Sequence, residues 1–124
     1  MYKFFKCNHC SNITILVENS GVPLACCGEN MTELIPNTVE ASIEKHLPVA
    51  NIADNILTVE VGSTPHPMTA EHHILIVCIE SQNSIQCKHL TIHDAPSMEF
   101  CLSKDKPKAV YAYCNLHGLW KTQL

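Results

Sequence analysis

Short runs rich in β-branched and apolar residues recur along the chain at 56–61, 74–80, 84–92, 98–103 and 109–113. In the first of these Leu57, Val59 and Val61 alternate with Thr58 and Glu60, the period-two pattern of a strand with one buried face. Turn-forming pairs separate the runs: Asp54-Asn55, Gly62-Ser63, Gln82-Asn83, Asp94-Ala95-Pro96 and Lys106-Pro107. Five or more short strands within residues 37–124 predict an antiparallel β-sandwich of immunoglobulin-like size. Helix is confined to about one turn near Val39 to Lys45. The longest apolar run, Ile74 to Ile79, has the length of a strand and falls far short of the roughly 18 residues of a membrane span.

Residues 1–36 follow a different pattern. They offer a short hairpin around Ile13 to Val17 and few other apolar runs, yet hold four of the eight cysteines and two of the four glycines. A segment this small lacks the material for a core and needs a staple such as a metal. The expected organisation is therefore a metal-nucleated knuckle at 1–36, a turn or linker at Pro36-Asn37-Thr38, and the sandwich at 37–124.

Composition narrows the function classes. A chain of 124 residues has room for one compact domain with a small appendage, not for two domains around a deep cleft. Eight lysines, no arginine and twelve acidic residues give a net charge of −4 without charge blocks, which disfavours nucleic-acid and anionic-membrane partners. Met1 to Lys6 runs straight into Cys7 without the apolar stretch of a secretory signal, so the expected address is the cytoplasm. In that compartment eight cysteines beside eight histidines point to transition-metal ligation ahead of disulfides.

Two clusters carry the chemistry. Cys7 and Cys10 form a C-x-x-C pair, a loop that can aim backbone N–H groups at bound sulfur, and Cys26 and Cys27 follow as adjacent residues. Four thiolates suit a tetrahedral zinc or iron; the adjacent pair distorts one angle, and Gly28 eases the turn after it. Two disulfides or a purely structural zinc are the plainer readings. His9, inside the C-x-x-C, reads as a surface residue, because four sulfurs already complete a site.

The second cluster gathers Glu44-Lys45-His46, Pro65-His66-Pro67-Met68, Glu71-His72-His73 and Cys114-Asn115-Leu116-His117-Gly118-Leu119-Trp120. His66 is stiffened by prolines on both sides, and Cys114 and His117 can chelate one metal from a single turn. If His46, His66, His72, His117 and Cys114 converge, five donors exceed a tetrahedral zinc site, and imidazoles with one thiolate suit iron or copper. Taken one at a time, each histidine is more simply an ordinary polar side chain.

The order and spacing of these motifs, from Cys7 to Lys121, resemble desulfoferrodoxin, the two-iron type of superoxide reductase. The resemblance implies a desulforedoxin-like module at 1–36 and a neelaredoxin-like, immunoglobulin-type sandwich at 37–124. It implies iron at Cys7, Cys10, Cys26 and Cys27, and a second iron held by His46, His66, His72 and His117 with Cys114 axial. His72, not His73, matches the ligand by its offset from His66, and His73 stands where many relatives carry an aromatic residue. Cys78 reads as a small buried hydrophobe, and Cys87 and Cys101 as free thiols, although these two sit on strands that could pair.

The implied reaction is one-electron reduction of superoxide to hydrogen peroxide. Lys45 would supply the cation that draws the anion in, and Glu44 a reversible sixth ligand after turnover. A rubredoxin-type donor would restore ferrous iron, and the molecule would be a homodimer. The competing functions are a non-catalytic iron electron-transfer protein and a zinc-ribbon interaction module on a β-sandwich.

Overall fold

The computed structural model describes residues 2–124; Met1 lies outside them. The chain is mainly β and divides into two compact units, Met1–Ile35 and Pro36–Leu124.

The first unit is a three-stranded antiparallel sheet with β1 (Lys3–Lys6) between β2 (Ile13–Leu16) and β5 (Thr32–Leu34), plus a two-stranded ribbon of β3 (Ala25–Cys26) and β4 (Glu29–Asn30). Phe4 and Cys7 are its fully buried side chains in the core, too few to hold the unit by apolar burial alone. The sequence expectation of a stapled knuckle matches this arrangement.

The second unit is the sandwich. One sheet has the order β10-β7-β6, from β6 (Pro48–Ala53), β7 (Ile56–Val61) and β10 (Ser97–Cys101). The other has the order β12-β11-β8-β9, from β8 (Ile74–Ser81), β9 (Ile85–His89), β11 (Pro107–Cys114) and β12 (Gly118–Gln123). All pairings are antiparallel. Leu57, Val59 and Val61 of β7 meet Ile74, Val77 and Ile79 of β8 and Val110 and Ala112 of β11 in one core. Each of the valines, leucines and isoleucines among them, fully buried, stabilises the fold by about 1.5–3 kcal/mol.

Side chains tie the sheets together at their edges. Gln86 and Lys88 of β9 donate to the Cys101 and Glu99 carbonyls of β10, and the Thr122 hydroxyl of β12 donates to the Pro48 carbonyl of β6. Asn37, expected only as part of a linker, covers the β12 edge: its backbone N–H donates to Leu119 O, its side-chain amide to Lys121 O, and its Oδ1 accepts from Lys121 N–H. That occupies backbone groups which an edge strand otherwise leaves open.

Strands β6 and β12 were not among the sequence expectations, and the run at 84–92 narrows to Ile85–His89. Among the three remaining cysteines, one pairing differs from expectation. Cys78 is fully buried, as anticipated, but it is disulfide-bonded to Cys87, its direct partner in the β8–β9 register. Cys101 is exposed and free, as anticipated. The physical reason is register: Cys87 faces Cys78 across a ladder, whereas β10 belongs to the other sheet.

Candidate metal centres

In the first unit the β1–β2 connection carries Cys7 and Cys10. The chain turns tightly because Ser11 N–H donates to Cys7 O and Cys7 N–H to Asn12 O, with Ser11 at φ 65°. The backbone N–H groups of His9 and Cys10 point at Cys7 Sγ from 3.4 and 3.5 Å. These donors hold the Cys7 thiol down at about 6, the Cys10 N–H contributing most, so Cys7 is largely thiolate at neutral pH. The adjacent pair Cys26-Cys27 is accommodated by a two-residue hairpin: Cys26 opposes Glu29, and both intervening residues take positive φ, 54° at Cys27 and 75° at Gly28. This is the backbone of a type I′ turn, so Cys27 itself and not Gly28 alone carries the reversal.

The four Sγ atoms lie within 4.8 Å of one another. Crowding with Cys10 and Cys7 raises the Cys26 thiol and pushes Cys27 up to about 12. One thiolate is thus preformed while Cys26 and Cys27 resist ionisation until a cation is present, as expected of a thiolate metal site. His9 is outside the cluster, paired at 2.6 Å with Glu29.

The second cluster sits at one end of the sandwich. His46 ends the single helical turn α1 (Ile43–His46). That turn is fixed against the loop after β7: Gly62 N–H donates to Leu47 O, and Thr64 N–H and the Ser63 hydroxyl donate to Glu44 O. Gly62 is at φ +84°, and a Cβ there would lie 2.4, 2.6 and 2.7 Å from the Thr64, Lys45 and Glu44 carbonyl oxygens. Only glycine permits this approach.

His66 follows on the same loop, its N–H donating to Val61 O. His72 closes a small loop with Thr69, whose N–H and hydroxyl both donate to His72 O. Cys114 ends β11 and His117 lies in the turn to β12, which Gly118 completes at φ +77°.

Sγ of Cys114 and one ring nitrogen each of His46, His72 and His117 lie within 4.8 Å of one another. His46 Nε2 and His117 Nδ1 are 3.0 Å apart, and Cys114 Sγ is 3.8 Å from His117 Nδ1. His66 is outside that tightest group but shares its ring: its centroid is 4.7 Å from His46 and 4.6 Å from His72. Among the described residues, His66 Nε2 and His72 Nε2 are the buried side-chain nitrogen and oxygen atoms left without a hydrogen-bond partner. Buried polar atoms are rarely left so, and two aimed at one cluster are what a cation would satisfy.

The opposite nitrogens are already used. His46 Nδ1 donates to Ser42 O at 2.6 Å, and His66 Nδ1 to Pro67 O at 2.7 Å, which leaves each Nε2 with its lone pair free. Burial lowers His46 and His72 and brings His66 down to about 4, so these rings are neutral at neutral pH and available to a cation. Burial raises the Cys114 thiol, opposed by the His117 and Leu116 N–H groups; a bound cation would tip it to thiolate. The donor set of imidazoles and one thiolate therefore fits an iron ion.

Lys45 and Glu44 are exposed beside this cluster. The Lys45 charge reaches His46 and His72, adding to the lowering that burial dominates, and the Ser42 hydroxyl donates to Glu44 at 3.4 Å. His73, next to His72 in sequence, is outside the cluster: its Nδ1 donates to Thr69 O at 2.8 Å.

Two supports were not foreseen. Trp120 stacks on His46 with centroids 5.1 Å apart and donates its indole N–H to His117 O. Asn115 accepts from His73 N–H through Oδ1 and donates through Nδ2 to Glu71 O. Both residues stood inside a motif already singled out, but the stacking of Trp120 on His46 and the bonds of Asn115 to Glu71 and His73 depend on partners far along the chain.

Residues 38–123 match the family described as Desulfoferrodoxin. The chain is 40% identical over 122 residues to desulfoferrodoxin of Nitratidesulfovibrio vulgaris, covering 98% of this chain and 96% of that one. Among solved structures it resembles the superoxide reductase from Treponema pallidum, with TM-score 0.83, 35% identity and 99% of both chains covered. The one-iron superoxide reductase from Giardia intestinalis aligns with 65% of this chain and 97% of its own, at TM-score 0.58 and 28% identity. With its four-cysteine knuckle, its histidine-cysteine cluster and a family match across most of its length, the chain belongs to the desulfoferrodoxin family.

Proposed function

We propose that the protein is a superoxide reductase that converts superoxide to hydrogen peroxide at the histidine-cysteine cluster. The observation that carries this is the convergence of His46, His72 and His117 nitrogens on Cys114 Sγ, with His66 alongside and two buried Nε2 atoms unsatisfied. In this reading His46, His66 and His72 hold iron through Nε2, His117 through Nδ1 and Cys114 through Sγ. The chemistry that ferrous iron supplies there is one electron to superoxide, which with two protons leaves as hydrogen peroxide.

The chain's own residues prepare that chemistry. His72 and His117 are only partly buried, so a small anion reaches the cluster from solvent. Lys45 gives a molecule of net charge −4 a local positive field at this mouth, and its ammonium can hold a water that delivers a proton. Glu44 on the same turn would close over the site after turnover; the Ser42 hydroxyl holds its carboxylate meanwhile. The Ser42 and Pro67 carbonyls keep two ligand rings in the donor tautomer throughout.

Iron at Cys7, Cys10, Cys26 and Cys27, a rubredoxin-type donor, a homodimeric assembly and a cytoplasmic address complete the proposal. The division at residue 36 into a desulforedoxin-like module and a neelaredoxin-like domain belongs to it as well. Among the described residues no helix is long and apolar enough to cross a membrane.

The test is stoichiometry under a steady superoxide source with a reduced rubredoxin-type donor. One peroxide per superoxide and no dioxygen supports reduction. Dioxygen release would indicate dismutation, and donor oxidation that superoxide does not accelerate would leave only an electron carrier. Natively expressed protein holding zinc at both clusters and no iron would favour the zinc-ribbon module.

A further inference from the structure

Cys78 and Cys87 lie outside both metal clusters and nothing in the proposed reduction of superoxide uses them. They face each other across β8 and β9 with Cα atoms 4.1 Å apart and are joined as a disulfide. The link adds little to the architecture, because backbone pairing from Ile76–His89 to Glu80–Ile85 already fixes that hairpin on both sides of it. The two sulfurs are unequal: Cys78 is fully buried on an inner strand, whereas Cys87 is exposed on the edge strand of its sheet.

One exposed thiol with a second, sheltered thiol held opposite by register is the arrangement that a reversible dithiol–disulfide couple requires. The pair also lies in the sheet that carries Cys114. Tyr111 of β11 stands opposite Cys78, and Cys114 follows three residues later on that strand, roughly 10 Å along at the usual rise per residue.

We infer that Cys78 and Cys87 form a second redox site that consumes hydrogen peroxide, with Cys87 attacking and Cys78 resolving. The Cys87 thiolate attacks one peroxide oxygen; the O–O bond breaks, the departing hydroxide takes a proton to become water, and Cys87 becomes a sulfenic acid. The Cys78 thiol then attacks Cys87 Sγ, the S–S bond forms, the S–O bond breaks, and the second hydroxide leaves as water with the Cys78 proton. Two thiols lose two electrons, and one peroxide becomes two waters. A dithiol reductant reverses the link by attacking the exposed Cys87 Sγ, releasing Cys78 as a thiol and carrying away the disulfide.

The inference rests on the proposed superoxide reduction only for the source of the peroxide. Adding peroxide from outside therefore reads the pair whether or not the protein reduces superoxide. The iron-loaded full-length protein is reduced with dithiothreitol, freed of it, exposed to stoichiometric hydrogen peroxide, alkylated, digested and mapped by mass. Before peroxide both cysteines take up label once the protein is denatured; after peroxide both lose it, and their linked peptides are lighter by two hydrogens. Cys78→Ala should leave Cys87 trapped by a sulfenic-acid reagent, and Cys87→Ser should leave Cys78 unlabelled until denaturation. The exposed free thiol of Cys101 serves as the internal standard. A disulfide that dithiothreitol opens only on unfolding would make the pair a permanent crosslink and overturn the inference. So would a reduced pair that survives peroxide while Cys101 is oxidised.

Discussion

Asn115 and His73 are joined by two backbone-directed hydrogen bonds: His73 N–H donates to Asn115 Oδ1 at 2.9 Å, and Asn115 N–H donates to His73 O at 3.2 Å. Through its amide Asn115 also reaches Glu71 O, so one side chain brackets the residues on either side of His72. It lies one position after Cys114 and thereby sets the distance between two members of the cluster, Cys114 and His72, 42 residues apart in sequence.

Asn115→Ala should therefore weaken metal retention at the histidine-cysteine cluster by about 10–100-fold, the usual cost of removing a support behind a ligand. Chelator competition measures it. Asn115→Asp keeps an acceptor for His73 N–H and should recover part of the loss; equal loss in both variants would deny the clamp its role.

Gly62→Ala places a methyl group against three carbonyl oxygens, two of them in the turn that carries His46, and does so at a positive φ. The strain should cost roughly 1–3 kcal/mol or more in urea unfolding. Metal content should fall at the histidine-cysteine cluster and stay unchanged at the four-cysteine cluster, which belongs to the other compact unit. Loss at both would mean that the variant had simply failed to fold.

An alkaline limit to stability is expected from Tyr111. Its hydroxyl is buried and donates to Glu80 at 2.8 Å; burial first, and Glu80 second, raise it above the ordinary value of 10. Above pH 10 the unfolded chain gives up this proton while the folded chain keeps it, so the stabilisation is complete below pH 10 and drains away as pH rises toward the folded-state value. In Tyr111→Phe that alkaline fall should be shallower, at the expense of about 1–3 kcal/mol at neutral pH from a buried Glu80 without its donor. Urea midpoints across the alkaline range check both. Parallel curves for the two proteins would contradict the assignment.

Removing the cation at the cluster mouth tests electrostatic capture. Lys45→Ile should slow the second-order reaction with superoxide by about tenfold at low salt and flatten its dependence on ionic strength. An unchanged rate would take Lys45 out of the mechanism.

Much of this molecule is legible from its residues because metal ligands are constrained in both type and spacing. The motifs gather into two clusters, four cysteines in one and His46, His72, His117 and Cys114 in the other with His66 beside it, and β7 spans the run of alternating residues that predicted it. What escaped depends on pairings across long sequence separations. Strand β6 lies at a sheet edge with most of its side chains partly or fully exposed, so its sequence lacks a clean alternation. Strand β12 begins inside the Cys114–Trp120 motif, whose chemistry masked its strand character. Asn37 as a cover for β12 acts across 84 residues, and the Cys78–Cys87 link needs the β8–β9 register before it can be seen. The turn at Cys27 was half visible: Gly28 signalled a reversal, but not that a cysteine would share the left-handed conformation.

Reduction of superoxide is the role proposed for the cluster of His46, His66, His72, His117 and Cys114. Its most direct measurement is rapid mixing of the fully reduced, iron-loaded protein with a superoxide pulse while the thiolate-to-iron absorption is followed. The histidine-cysteine site should be oxidised at a second-order rate near the diffusional range of about 10⁸–10⁹ M⁻¹s⁻¹, with the four-cysteine site oxidised more slowly or not at all. A histidine-cysteine site that stays reduced while superoxide decays at its uncatalysed rate would contradict it.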